Sequence, residues 1–155
     1  MTPSGGTLYS LGRGLTTFAV DPATGQLAEG ATVSCNCFSM TMNTRGTLLF
    51  AGTFVAPNSA PTQPVGISPF SIDPGTGALT TLNESFIDVA PSNVSLAFAP
   101  WFVLDSSGEF LYTTAFGLSD TLGFTVSDNG AVTTAPSSPF MQTGGGNLTL
   151  VNFQP

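Results

Sequence analysis

The chain has no histidine and no lysine, and its two cations are Arg13 and Arg45. Without an imidazole, every mechanism that needs a histidine base or a histidine metal ligand is excluded. Charged residues make up 7% of the 155 positions and the net charge is −7. A chain so poor in cations has no electrostatic footprint for nucleic acid or for an anionic membrane surface. No apolar run approaches the roughly 18–20 residues that span a bilayer. The opening Met1-Thr-Pro-Ser-Gly-Gly lacks the basic start and apolar stretch of a signal peptide, so an export signal is expected outside this chain. Cysteine is scarce too: Cys35 and Cys37 stand alone in Ser-Cys-Asn-Cys-Phe. Two ligands do not make a metal site, and no metal or cofactor is expected. The pair is read first as buried thiols acting as small hydrophobes, with a local disulfide or a link to another chain as the alternative.

What the chain does contain is apolar and turn-forming: 41% hydrophobic residues, 13 Phe, 18 Gly and 12 Pro. That is enough apolar material for the core of one domain. Solubility must come from Ser, Thr, Asn and turns, a surface that points to an extracellular or cell-surface setting.

The sequence repeats itself. Met1–Tyr9, Met42–Phe50 and Leu104–Tyr112 share one pattern, an apolar residue, a short polar turn with glycine (Gly5, Gly46, Gly108), then an apolar strand. A second motif follows each time, in Phe18–Leu27, Phe70–Leu79 and Phe124–Val132, with Gly25, Gly77 and Gly130 in register. Phe18 and Val20, Phe70 and Ile72, and Phe124 and Val126 alternate with small or polar residues, the period of a half-buried strand. Asp-Pro-x-Thr-Gly then closes a hairpin: proline sets φ, aspartate bonds the backbone ahead, and glycine takes a positive φ. No segment carries sustained helical periodicity. Each unit reads as four antiparallel strands, in the second unit near 39–43, 47–53, 66–72 and 78–82. Units of four strands at this period predict an all-β, propeller-like array of about three blades over 1–38, 39–100 and 101–147, with 148–155 as a closing strand. Val55–Pro64 is a Pro-rich insertion and Asp88–Ala99 an irregular connection.

Three blades are few for a ring of typically four to eight. Repeat one starts at the end of its first strand, and Leu148-Thr149-Leu150-Val151-Asn152-Phe153 has the pattern of the strand it lacks. Completion by strand exchange or oligomerisation is therefore expected, with the chain itself as partner. Leu8, Tyr9, Trp101 and Phe102 are read as inter-blade core or as faces toward another subunit.

The segments Leu104–Tyr112 and Phe70–Leu79 resemble the repeat strings of the lactonase-type β-propeller family, which includes bacterial 6-phosphogluconolactonase and the YVTN-repeat proteins. Full members have about seven blades. The resemblance implies a seat for His, Arg and Glu side chains around a central channel; this chain has no histidine, and Arg13 is the arginine placed to approach the channel mouth. Asp21, Asp73, Asp105 and Asp128 are read as turn residues, Glu29, Glu84, Asp88 and Glu109 as solvated, and Asp120 as the carboxylate for a calcium or partner contact. Asn83, Asn93 and Asn147 fit the glycosylation acceptor pattern. The leading expectation is a non-catalytic module that assembles head to tail into a filament or ring. The alternative is a lactonase-type hydrolase seen as a fragment or as a six-bladed dimer.

Overall fold

A computed structural model describes residues 2, 5–12, 14–54, 65–82, 87–88, 101–114 and 120–141. Among them there is no helix, and so none long and apolar enough to cross a membrane. The strands are β1 (Thr7–Leu11), β2 (Leu15–Val20), β3 (Leu27–Val33), β4 (Cys37–Met42), β5 (Leu48–Phe54), β6 (Val65–Ile72), β7 (Leu79–Thr81), β8 (Ile87–Asp88), β9 (Trp101–Leu104), β10 (Phe110–Thr114), β11 (Asp120–Val126), β12 (Val132–Thr134) and β13 (Phe140–Met141). They form three antiparallel sheets in the order of the three sequence repeats.

Blade 1 is β1-β2-β3, blade 2 is β4-β5-β6-β7, and blade 3 is β9-β10-β11-β12. The outermost strand of blades 2 and 3 is broken: β8 continues it by pairing with Gly66 and Ile67 of β6, and β13 by pairing with Asp120 and Thr121 of β11. Asp88, read as part of an irregular connection, is thus strand. In blade 1 that position is one strand, β3, with a register shift opposite Thr16 and Phe18.

Alternation sorts each strand's side chains between two neighbours. In β5, Leu48 and Phe50 join Ile67, Phe102, Leu104, Leu111 and Phe124 in the core between blades 2 and 3. Leu49 and Ala51 point the other way and join Tyr9, Leu15, Phe70 and Ile72 between blades 1 and 2. Every blade therefore has a first face, toward the preceding blade, and a second face, toward the next. Both faces of blade 2 are covered, which is why Phe50, Ala51 and Ile67 are 0% exposed.

The turn glycines behave as the repeat requires: Gly5, Gly46, Gly108, Gly25, Gly77 and Gly130 all have positive φ. The two cysteines depart from the leading expectation of free thiols. Cys35 and Cys37 are joined in a disulfide, and both pack against the core between blades 1 and 2. Two residues apart, their side chains leave the same side of the chain, so the sulfurs meet. The Pro-rich stretch 55–64, the closing strand Leu148–Phe153, Arg13, Glu84 and the glycosylation patterns at Asn83, Asn93 and Asn147 lie outside the described residues.

Candidate functional site at the inner edge of the blades

Strands β4 and β9 are the first strands of their blades and lie against each other, so they mark the inner edge of the array. Phe38 of β4 and Phe102 of β9 close over Gly52, where a Cβ would lie 2.5 Å from the Phe102 ring. Phe102 is 8% exposed and belongs to the core between blades 2 and 3. Of the residues read as core or subunit face, Phe102 and Tyr9 are both buried in core and Leu8 is half-buried. Trp101 has its backbone in β9, paired with Thr114; its side chain is outside the described set.

Between blades 1 and 2 the inner edge opens into a cleft of about 250 Å³, lined by Tyr9, Met40, Thr41, Met42 and Leu49. It borders β1, which has no strand on its inner side among the described residues, whereas its equivalents β5 and β10 carry β4 and β9. Methionine and leucine make the lining soft and apolar. The Tyr9 hydroxyl is already engaged, donating to the Gly77 carbonyl at 2.7 Å. Burial pushes the Tyr9 phenol above its ordinary pKa, so it remains a donor. Thr41 brings the other hydroxyl. The cleft can therefore hold a small ring or an apolar group and orient it through a hydroxyl; among the described residues its lining holds no carboxylate and no cation.

The carboxylates sit elsewhere, and most are tied into turns at one end of the blades. Asp21 Oδ1 accepts the N–H groups of Ala23 and Thr24 at 2.8 and 3.0 Å. Asp73 Oδ1 accepts Gly75 and Thr76 N–H at 3.0 and 2.7 Å and the Thr76 hydroxyl at 2.8 Å. Asp105 Oδ1 accepts Glu109 and Phe110 N–H at 3.0 and 2.9 Å, and its Oδ2 accepts the Ser107 hydroxyl at 2.6 Å. These bonds hold all three carboxyls below the ordinary carboxylate range; at Asp105 partial burial pushes upward and the combined donors outweigh it. Depressed carboxyls held by backbone donors are structural anions and poor bases at neutral pH.

Sequence reasoning passed over the matching residue of blade 2. Asn43 is 7% exposed, and its Oδ1 accepts Thr47 and Leu48 N–H at 2.9 and 3.1 Å while its Nδ2 donates to Thr47 Oγ1. Thr2 caps the same turn in blade 1 by accepting Thr7 N–H at 3.1 Å. The alignment of Thr2, Asn43 and Asp105 in the repeat was the available signal. Arg45 pairs with Asp128 at 3.0 Å across blades 2 and 3, but both side chains are largely exposed, so the pair contributes little to stability. Among the described residues, the carboxylates outside the turns divide between β3 and the opposite end. Asp88 and Asp120 reach that opposite end through the register of β8 and β11.

No protein-family model and no curated protein sequence matches the chain. Solved structures do. A Lactobacillus plantarum protein superposes with a TM-score of 0.67 at 20% identity, over 83% of this chain and 37% of its own. A candidate 6-phosphogluconolactonase from Bacteroides uniformis gives 0.69 at 15% identity, over 92% of this chain and 40% of its own. A second from Bacteroides fragilis gives 0.68 at 18%, over 92% and 38%. The chain thus spans about two fifths of the length of each. These neighbours correct the expectation of a non-catalytic filament module: the likeness is to candidate enzymes, and the hydrolase alternative is the reading they favour. At such identities the likeness establishes a fold, that of a partial β-propeller-like array similar to 6-phosphogluconolactonase-like structures.

Proposed function

We propose that the chain is part of a lactonase-type β-propeller hydrolase acting on a sugar lactone. The observation that carries this reading is the superposition of 92% of the chain on two candidate 6-phosphogluconolactonases. The inner-edge cleft adds support, because its apolar lining and Thr41 hydroxyl suit one face of a small sugar ring. In the reaction, water adds to the lactone acyl carbon, the ring C–O bond breaks, and the acid formed releases one proton. Among the residues of this chain, which has no imidazole, a carboxylate is the group that can take the water's proton. Asp21, Asp73 and Asp105 are committed to turns and Asp88 belongs to an outermost strand, so Asp120, at the start of β11, is the carboxylate of this chain to test as the base.

The test is proton release from 6-phosphogluconolactone and from an unphosphorylated gluconolactone, each read against spontaneous hydrolysis. Saturable acceleration is expected, with a preference for the phosphorylated substrate. Asp120→Asn should then lower the rate by about 10²-fold. Hydrolysis of both lactones at the spontaneous rate would overturn the reading.

A further inference from the structure

We propose that the Cys35–Cys37 bridge is a site of reversible thiol–disulfide exchange that sets the register of β4 beside the cleft, its co-substrate a small thiol of the glutathione class. The bridge lies in the link from blade 1 to blade 2, where Cys35 follows the end of β3 and Cys37 opens β4. Both cysteines are half-buried and Asn36 between them is exposed, so a thiol in solution has a path to the sulfurs. A bridge that closes so short a loop adds little to the fold. By linkage the fold adds equally little to the bridge. Disulfides that are weakly held and open to solvent are the labile ones.

What the bridge controls is a β-bulge. Met42 and Met40 of β4 pair with Leu49 and Ala51, pack with them toward blade 1 and line the cleft. Strict alternation would put residue 38 next on that side, opposite Thr53. Instead the register shifts: Ser39 pairs with Gly52 and Cys37 with Thr53, which leaves Phe38 as the extra residue. Cys37 thereby takes the cleft side and packs with Cys35 in the core between blades 1 and 2. The Phe38 ring goes the other way, against Gly52 and the core between blades 2 and 3.

Regular pairing would reverse both placements, because a slip of one residue exchanges the sides. Cys37 would then face blade 3, out of reach of Cys35, so the closed bridge excludes that register. It also holds the two Cα atoms 5.2 Å apart, short of the ~6.6–7.2 Å that two extended residues span. Opening the bridge is a balanced two-electron step. A thiolate attacks one sulfur, forming a mixed disulfide and expelling the other cysteine as thiolate. A second thiolate attacks the reagent sulfur of that mixed disulfide, giving the oxidised reagent and two cysteines that take up the two thiol protons. With the bridge open, Phe38 has two seats, over Gly52 or beside Met40 at the cleft wall. The start of β4 is thus a two-state element that the sulfur chemistry biases. The switch rests on the cleft's geometry and is independent of the lactonase reading.

The test brings the native protein to equilibrium in ~10 mM reduced and ~0.1 mM oxidised glutathione, then quenches by alkylation. Mass spectrometry should find most chains alkylated at both cysteines with no denaturant present. In methyl NMR spectra the Met40 and Met42 signals should move on reduction and return on reoxidation. Amide exchange over Phe38–Met42 should quicken by ~10-fold or more, while β10 and β11 of blade 3 keep their rates. The Cys35→Ser, Cys37→Ser double variant should show the reduced pattern in every buffer. Phe38→Leu, apolar but without a ring current, should lose most of the methyl shift and keep the change in exchange. A bridge that stays closed in this buffer until urea unfolds the chain would overturn the proposal. So would one that opens while Met40, Met42 and the β4 amides stay as they were. No lactone enters these measurements, so a failed switch and a failed lactonase reading are told apart.

Discussion

The hydroxyl of Tyr9 in blade 1 donates a 2.7 Å hydrogen bond to the carbonyl of Gly77, 68 residues along the chain in the turn between β6 and β7. Tyr9 is 4% exposed, so water is largely kept from the pair. Tyr9→Phe keeps the ring and strands the Gly77 carbonyl. It should cost about 1–2 kcal/mol in urea unfolding, and an unchanged midpoint would mean that water replaces the bond.

Gly77 and Gly25 separate two effects of one substitution. Both have φ near 70°, where a side chain is strained. At Gly77 a Cβ would also lie 2.5 Å from Thr7 Oγ1, across the blade joint, whereas at Gly25 it meets nothing within 4 Å. Gly25→Ala should therefore cost about 1 kcal/mol and Gly77→Ala about 2–3 kcal/mol or more. Equal losses in thermal or urea unfolding would show that the joint yields freely.

Acid should weaken the fold through the turn carboxyls. The hydroxyl and N–H of Thr76 hold Asp73 below the ordinary carboxylate range, and the N–H groups of Thr24 and then Ala23 do so for Asp21. A group whose folded pKa is depressed stabilises the fold above its unfolded pKa, and that contribution fades as pH falls through the folded value. Stability should thus be level above about pH 5 and decline below about pH 4. Asp73→Asn should flatten part of that decline in unfolding curves recorded from pH 6 to 2; an unaltered acid limb would remove Asp73 from the explanation.

The Cys35–Cys37 disulfide closes a loop two residues long in sequence separation. Loop-closure entropy is then small, about 1–2 kcal/mol against ~3 for a 15-residue loop. A Cys35→Ser, Cys37→Ser double variant should lose no more than that and unfold in one transition, monitored by circular dichroism. A loss as large as a core truncation would show that the bridge holds blades 1 and 2 together.

Much of the blade architecture was open to reading in one dimension. The spacing of Gly25, Gly77 and Gly130 marks turns because a positive φ is a local demand that glycine meets. The alternation around Phe70 marks a strand because side-chain direction is also local. The candidate site was less legible. Met40, Thr41 and Met42 read as an ordinary strand, and they line a cleft through what stands opposite: Tyr9, brought there from another repeat. The cysteine pair misled because thiol and disulfide share one spacing, and the turn geometry that joins them belongs to the connection from β3 to β4.

Phe18, Phe70 and Phe124 mark the boundary between the two kinds of knowledge. The residue order alone determined that each begins the same strand-and-hairpin motif, since strand period and turn chemistry act over a few neighbours. Whether a face is covered was decided in three dimensions: Phe70 and Phe124 are 2% and 4% exposed and Phe18 is half-buried. Burial depends on which sheet lies above a face, and that sheet comes from a distant repeat.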